Sequence, residues 1–324
     1  MVFYSHNKII YGVKLVINNG TITFDTPSQL IDGTAAYYMA NNYLKSELID
    51  TNKWLLVYEY ISTSSSTSSR TYGAVVEYTN NIFSVGTATV LTSQNYSGTE
   101  IGLCSVGKNK CVVNHRGNNY GYALGVSISG TTISIGTDVQ IGYSSAYSTL
   151  KTCSIGTDSF GAFYISSFYV YGYYCSLNNL TIILSSICQL TDNAIASSNI
   201  RAIKANDNHI FVSVFTTTEE EYGVICTISN NALSYLRSTF KTLGMLHSST
   251  NFEKSASLNL LETNVVLFSA NGAKNLSGLR LCKCTITNDD FTIFKKAALS
   301  NSKIDGVTVE ELTDSVSGDV YILN

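Results

Sequence analysis

Short apolar runs separated by two- to four-residue polar turns recur along the chain. The first reads Val13-Lys14-Leu15-Val16-Ile17, then Asn18-Asn19-Gly20, then Thr21-Ile22-Thr23-Phe24. The same arrangement returns around Ile82, Ile133, Ile182, Leu233 and Phe291, at intervals of roughly 50 to 60 residues, the length of a four-stranded propeller blade. A second apolar run follows each anchor: Trp54-Leu55-Leu56-Val57-Tyr58, Cys111-Val112-Val113, Ala162-Phe163-Tyr164-Ile165, Ile210-Phe211-Val212, Val265-Val266-Leu267-Phe268 and Val320-Tyr321-Ile322-Leu323. Between anchor and run lies a shorter strand, such as Glu47-Leu48-Ile49, Ile101-Gly102-Leu103, Ile200-Arg201-Ala202-Ile203 or Val307-Thr308-Val309. Each repeat is therefore expected to hold four strands, and no stretch reads as a long helix.

One such sheet cannot bury both faces alone, whereas radial stacking shields each sheet against its neighbours and leaves only short edges. The expected fold is all-β, a β-propeller of about six four-stranded blades forming a single domain over 1–324, with approximate blades at 7–60, 73–115, 121–166, 172–215, 222–269 and 277–324. A β-sandwich or a β-helix is the rival, although a β-helix would need shorter rungs. Whether Val2-Phe3-Tyr4 adds a clasping strand to the last blade stays open. The repeat lacks the Gly-His and Trp-Asp pairs of WD repeats, the double glycines of kelch repeats and the aspartate box of sialidases. Trp54 is the single tryptophan.

Composition agrees with strands and turns. Hydrophobic residues make up 44% of the 324 and charged residues 13%, with 23 glycines, 22 tyrosines and one proline. A formal charge of −3 without a basic block argues against nucleic acid as a partner. The start, Met1-Val2-Phe3-Tyr4-Ser5-His6, has no secretory signal pattern, and no apolar run reaches bilayer-spanning length. The expectation is a soluble cytoplasmic product that does not insert into membranes. The eight cysteines sit in strand-like runs without a Cys-x-x-Cys pair and are expected as buried reduced thiols. Cys282-Lys283-Cys284 could suit a metal only with histidines nearby in sequence, and none are there.

Connections differ between the two ends of the repeat. Tight turns such as Asn18-Asn19-Gly20, Thr79-Asn80-Asn81, Gly107-Lys108-Asn109-Lys110, Ser129-Gly130-Thr131, Ser229-Asn230-Asn231 and Ser317-Gly318-Asp319 need no purpose beyond closing hairpins. At the other end, longer and dissimilar segments (Asp32 to Tyr43, Ser62 to Tyr72, Thr92 to Thr99, Arg116 to Tyr122, Gly142 to Ser148, Ser166 to Tyr174) are rich in tyrosine and small polar residues. Variable loops carry function, and tyrosine offers a rigid apolar plate with a polar tip. The candidate ligand-binding residues are Tyr37, Tyr38, Tyr43, Tyr96, Tyr120, Tyr143, Tyr147, Tyr169 and Tyr171, with Arg116, Asn118 and Asn119 as polar contacts. The plainer reading is that tyrosine simply favours strands and strand ends. Ser62 to Ser69 reads as a flexible crossing, and Glu219-Glu220-Glu221 as a solvated loop end.

Catalytic patterns are missing. His6, His115, His209 and His247 fall in different repeats without a zinc-ligand spacing or an adjacent carboxylate. There is no Gly-x-Ser-x-Gly elbow, phosphate loop or EF-hand series. No cofactor, metal or catalytic residue is expected, although two opposed carboxylates on loops would suffice for a glycosidase.

The segment Gly121-Tyr122-Ala123-Leu124-Gly125-Val126-Ser127-Ile128-Ser129-Gly130-Thr131-Thr132-Ile133-Ser134-Ile135-Gly136-Thr137, followed by a later Phe-Tyr strand, resembles the degenerate repeats of phage tail and tail-fibre proteins. The closing Lys303-Ile304-Asp305-Gly306-Val307 and Ser317-Gly318-Asp319-Val320-Tyr321-Ile322 are similar to endings in that family, departing where Thr308 replaces a small residue and the glycine pair is incomplete. The resemblance implies a receptor-binding protein of a phage tail or phage-tail-like particle, made in the host cytoplasm and carried on the virion. Its partners would be a host-surface receptor, in all expectation a glycan, and other tail or fibre proteins, with homo-oligomerisation left open. No coiled-coil shaft is present for mounting. A structural propeller bridging tail or capsid proteins, and a polysaccharide-degrading tail enzyme, are the alternatives.

Overall fold

The structure is a computed structural model that describes residues 1–6, 9–18, 21–32, 37–62, 69–92, 101–117, 120–143, 150–167, 169–191, 197–216, 220–235, 241–246, 256–271, 279–287 and 290–298. Among these every regular element is a strand, and no helix is present that could cross a membrane.

The strands form six successive antiparallel sheets, here blades 1 to 6. Blade 1 pairs Val2–His6, Ile9–Val13 and Ser28–Asp32, and its middle strand runs on after Lys14 into the hairpin Leu15–Asn18 with Thr21–Phe24. Blade 2 is Tyr37–Asp50, Lys53–Ser62, Ser69–Thr79 and Ile82–Val85, with Thr89–Val90 added beside the third strand. Blade 3 repeats this with Gly102–Gly107, Lys110–Gly117, Tyr120–Ser129, Thr132–Ile135 and Val139–Tyr143. Blade 4 uses Lys151–Gly156, Ser159–Ser166, Tyr169–Asn178, Thr181–Leu184 and Cys188–Gln189. Blade 5 uses Ser197–Lys204, His209–Thr216, Glu220–Ser229, Ala232–Tyr235 and Lys241–Leu246, and blade 6 Ala256–Glu262, Val265–Asn271, Leu279–Thr287 and Asp290–Ala298.

These borders correct the expected ones. In blades 2 to 6 each hydrogen-bonded sheet takes the last two strands of one sequence repeat and the first two of the next, so the blades are displaced by half a repeat from 7–60, 73–115 and their successors. A periodic pattern determines spacing but not where the first sheet begins. The segments Ser62 to Tyr72, Arg116 to Tyr122 and Ser166 to Tyr174, which the expected borders put largely between blades, lie within blades, at the hairpin between second and third strands. Because antiparallel neighbours alternate in direction, a half-repeat displacement leaves every turn at the same end of its sheet.

The chain forms two compact units. The first comprises Met1–Ser144, Gly156–Phe160 and Cys175–Ile183; the second comprises Ser145–Ile155, Gly161–Tyr174 and Leu184–Asn324. Blade 4 contributes strands to both.

In the first unit, alternate residues of one strand pack in opposite directions. Leu55, Val57 and Val75 of blade 2 share a core with Cys111, Val113, Leu124 and Val126 of blade 3. Leu56, Tyr58, Ala74 and Val76 of the same blade share another with Ile10 and Leu30 of blade 1. A sheet buried on both faces explains why the run at Trp54 is continuously apolar instead of alternating. A two-layer sandwich would wet one face of each sheet.

The second unit repeats the scheme. Ile210, Val212, Val214 and Val224 of blade 5 meet Phe163, Ile165 and Val170 of blade 4, while Phe211 and Ile225 meet Val266, Cys284 and Phe291 of blade 6. Seven of the cysteines are free thiols and six of those are buried, in agreement with the sequence reading; the Cys282 side chain lies outside the described residues. Burial drives the Cys111 and Cys226 thiols up, so both stay protonated and inert.

Turns lock these packings. Asn80 and Asn81 take φ of 54° and 61°, and Asn230 and Asn231 take 51° and 56°, the paired left-handed values of a two-residue hairpin turn. The first turn of a blade does more. Asn109 donates its backbone N–H to the Ile49 carbonyl of the preceding blade and accepts from Ile128 of its own. Asp158 does the same between Val106 and Leu177, and Asn264 between Ala205 and Ile286. All three have φ between 55° and 69°, which asparagine and aspartate tolerate better than other non-glycine residues.

Candidate functional site

The end of the blades that bears the candidate tyrosines is the end with the longer connections. Most of the candidate residues prove to belong to strand ends and not to loops, which corrects the sequence reading. Tyr37 and Tyr38 open the first strand of blade 2 opposite Ser62 and Ile61, Tyr43 follows in the same strand, and Tyr143 pairs across from Tyr120 at the end of blade 3. Arg116 lies in the second strand of blade 3 opposite Gly121. The side chains of Tyr37, Tyr38, Tyr43, Arg116 and Tyr143 lie outside the described residues, as do Tyr96, Asn118, Asn119 and Tyr147 altogether. Tyr120, Tyr169 and Tyr171 are described and half-buried.

Two of these three tyrosines have aromatic neighbours that sequence reading passed over. In the first unit, Tyr120 meets Tyr122 edge-on, with ring centroids 6.5 Å apart, and Tyr122 stacks on His115 at 5.6 Å and 15°. His115 is buried, and its Nε2 donates to Asp138 Oδ1 at 3.0 Å. The carboxylate absent from the residues flanking His115 is thus supplied from 23 positions away. Asp138→Ala, which removes the acceptor, is expected to destabilise the fold by about 1 kcal/mol, the usual worth of one hydrogen bond, read as a lower urea midpoint.

In the second unit, Tyr171 and Tyr173 sit two residues apart on one strand and so share a face, where both stack on Tyr164 of the neighbouring strand at 5.5 and 6.1 Å. Tyr164 is the buried base of this group. Burial, and then Tyr173 beside it, hold its hydroxyl well above the usual phenol range, so it remains a neutral donor. The Tyr169-x-Tyr171-x-Tyr173 alternation was the signal that could have revealed the shared face.

The same end of other blades carries buried carboxyls. Glu59 lies near the end of the second strand of blade 2 and is almost wholly buried. Glu221, expected to be solvated, is fully buried on the third strand of blade 5, where burial pushes its carboxyl up to about 8 against the opposing pull of Arg201 and Ser213. Neither of its oxygens accepts a well-formed hydrogen bond among the described residues. Within a run of three glutamates the sequence does not show that Glu221 turns inward, since that depends on strand alternation.

Among the described residues no cluster of three or more His, Cys, Asp or Glu could hold a metal. What the site offers is stacked, half-exposed aromatic surface beside fixed polar groups.

No family model matches the sequence, and neither does any curated protein. The backbone is similar to solved structures. One is a Bacteroides uniformis protein described as a candidate 6-phosphogluconolactonase, with 12% identity and TM-score 0.57 over 91% of this chain and 79% of that one. A second is a triple arginine-to-alanine variant of AofleA from Arthrobotrys oligospora, with 9% identity and TM-score 0.50 over 90% and 80%. A third is Aleuria aurantia lectin, described as a six-bladed β-propeller with fucose recognition, with 9% identity and TM-score 0.45 over 93% and 95%. At these identities the first two bear on fold alone, and the third, weaker likeness carries no argument. The two-faced burial of blades 2 and 5, together with six successive up-and-down sheets, makes the fold a β-propeller of about six four-stranded blades.

Proposed function

We propose that this protein is a non-catalytic saccharide-binding propeller, a single domain that engages glycans through the tyrosine-bearing ends of its blades. The observation that carries this reading is the Tyr164, Tyr171 and Tyr173 group, in which a buried ring props two half-exposed ones in fixed orientation. Such plates suit the apolar C–H face of a sugar ring, and their hydroxyls suit its edge; rings already held by packing lose little entropy on binding. The Tyr120 and Tyr122 pair offers the same chemistry in the first unit. A saccharide needs no metal, cofactor or perturbed nucleophile for recognition.

The placement of the protein on a phage tail, facing a host-surface glycan, rests on the resemblance of residues 121–137 to tail-fibre repeats; none of the three similar structures concerns a phage particle. The other half of that resemblance, 303–322, lies outside the described residues. On a particle, copy number would multiply shallow single-site contacts into firm attachment.

The test is a glycan array and a host-cell pull-down with the wild-type chain, Tyr171→Ala and Tyr120→Ala, accompanied by a reducing-end assay. Loss of one ring contact is expected to weaken binding about tenfold, equivalent to about 1.4 kcal/mol, with no sugar released. Undiminished binding by both variants, or release of reducing ends, overturns the reading. A bridging role between virion proteins has one observation in its favour: Ile82, Ile135 and Ile183 stand exposed on the fourth strands of blades 2, 3 and 4. That reading predicts capture of tail proteins and no glycan signal.

A further inference from the structure

The second unit holds a cleft at the tight-turn end, opposite the end that carries the tyrosines. Its volume is about 960 Å³, and it is walled by the first turn of blade 5, the first turn of blade 6 and the end of that blade's third strand, Thr285 to Thr287. Local chain length explains why it exists. The first turn has two residues in blade 2 (51–52), blade 3 (108–109), blade 4 (157–158) and blade 6 (263–264), but four in blade 5 (205–208).

The seams also differ in charge. Between blades 2 and 3, Lys108 reaches Asp50 at 3.2 Å, and between blades 3 and 4, Lys110 reaches Asp158 at 2.8 Å, so an ion pair spans the corresponding position. In blade 5 the lysine turns back: Lys204 pairs with Asp207 of its own turn at 2.8 Å. What faces blade 6 is neutral. Asn206 donates its amide to Asn264 Oδ1, while its own Oδ1 accepts from the Asn208 backbone N–H at 2.8 Å and from His209 Nδ1 at 3.0 Å.

This network orients the wall in advance, and the remaining lining combines the hydroxyls of Thr263, Thr285 and Thr287 with the apolar surface of Leu260, which is 43% exposed. An anion would find one cation, already committed to Asp207. A flat aromatic ligand would find no Phe, Tyr or Trp ring among the lining residues to stack on, and the one imidazole there, that of His209, is buried and tied to Asn206. A neutral polyhydroxylated ring fits both features: each hydroxyl can donate and accept among amides and threonines, and its C–H face can rest on Leu260.

We propose that this cleft is a second binding site for neutral saccharide, separate from the tyrosine-bearing ends and built by the lengthened turn of blade 5. It stands independently of the loop-end reading, since the two share no residue.

The test uses amide-resolved NMR on the full chain, titrated with maltotriose, lactose and chitobiose as neutral probes and with trigalacturonate and inorganic phosphate as charged ones. At least one neutral probe is expected to shift amides within 204–209, 260–265 and 285–287, in Tyr171→Ala as in the wild type. Thr287→Trp, at an exposed strand end, fills the cleft and should abolish those shifts; Asn208→Ala keeps the space and should weaken binding several-fold, which preserves the test if the tryptophan variant misfolds. The proposal fails if no neutral probe moves these amides, if only trigalacturonate or phosphate does, or if the shifts persist unchanged in both cleft variants. Loss of glycan binding in Tyr171→Ala with these shifts intact would separate the two sites.

Discussion

Replacing Glu221 by glutamine is expected to leave stability at pH 5 nearly unchanged and to raise it by about 2–4 kcal/mol at pH 8.5, an order-of-magnitude figure that follows from linkage between protonation and folding. The carboxyl is fully buried and pushed up from 4.5 to about 8, chiefly by burial, with Arg201 and Ser213 pulling the other way. A folded value above the unfolded one means that the native state holds a proton the unfolded chain has lost. The stabilisation from that proton is complete below about 4.5 and disappears as pH rises through about 8. Glutamine is neutral throughout and abolishes the slope. Urea unfolding of both proteins at pH 5, 7 and 8.5 measures it, and parallel curves at all three values would show that the native state tolerates the charge.

The largest loss is expected from Phe211→Ala, at about 3–5 kcal/mol. Phe211 has no exposed surface, and its ring meets Phe291 edge-on at 5.1 Å and 83°. The space for both rings is made by Gly223, where a Cβ would stand 2.6 Å from Phe211 and 2.9 Å from Phe291. Gly223→Ala should therefore cost about 1–3 kcal/mol by overpacking. The double variant should lose less than the two single losses added, because the cavity left by the phenyl ring accepts the new methyl. Strict additivity in urea unfolding would mean that the glycine serves some other purpose.

Gly223 also shows how much of the repeat lay unread in the sequence. Tyr11-Gly12, Tyr72-Gly73, Tyr171-Gly172 and Tyr222-Gly223 occupy third-strand positions in blades 2, 4 and 5 and their counterpart in blade 1, with Tyr122-Ala123 in blade 3. Each glycine sits against a core side chain of its own or a neighbouring strand, such as Phe163 at Gly172. The dipeptide is a sharper marker than the apolar runs where a core side chain presses on the backbone, as Phe211 and Phe163 do at Gly223 and Gly172, and blade 3 admits no more than the methyl of Ala123. It would also have placed the third strand and with it the phase of the blades.

The chemistry at the blade ends was legible to different degrees. Tyrosines near the longer connections were visible as a class, but which rings touch was not, since Tyr164 and Tyr171 come from different strands and meet only through pairing. His115 and Asp138 are brought together by the fold of one blade across 23 positions, and no local pattern announces them. The cleft of blade 5 depends on a turn two residues longer than its counterparts, which a degenerate repeat conceals among ordinary insertions.

Alternating apolar runs and asparagine- and glycine-bearing turns determined, without coordinates, that the chain is all-β, that its strands pair with sequence neighbours, and which ends carry long connections. These follow from local sterics and from a period of two that the backbone imposes everywhere. The tertiary structure alone decided where one blade stops, that Glu221 turns inward, and which turn opens a cleft. Those outcomes depend on what the neighbouring sheet presents across the seam, and a repeat that looks the same in every copy carries no record of its neighbour.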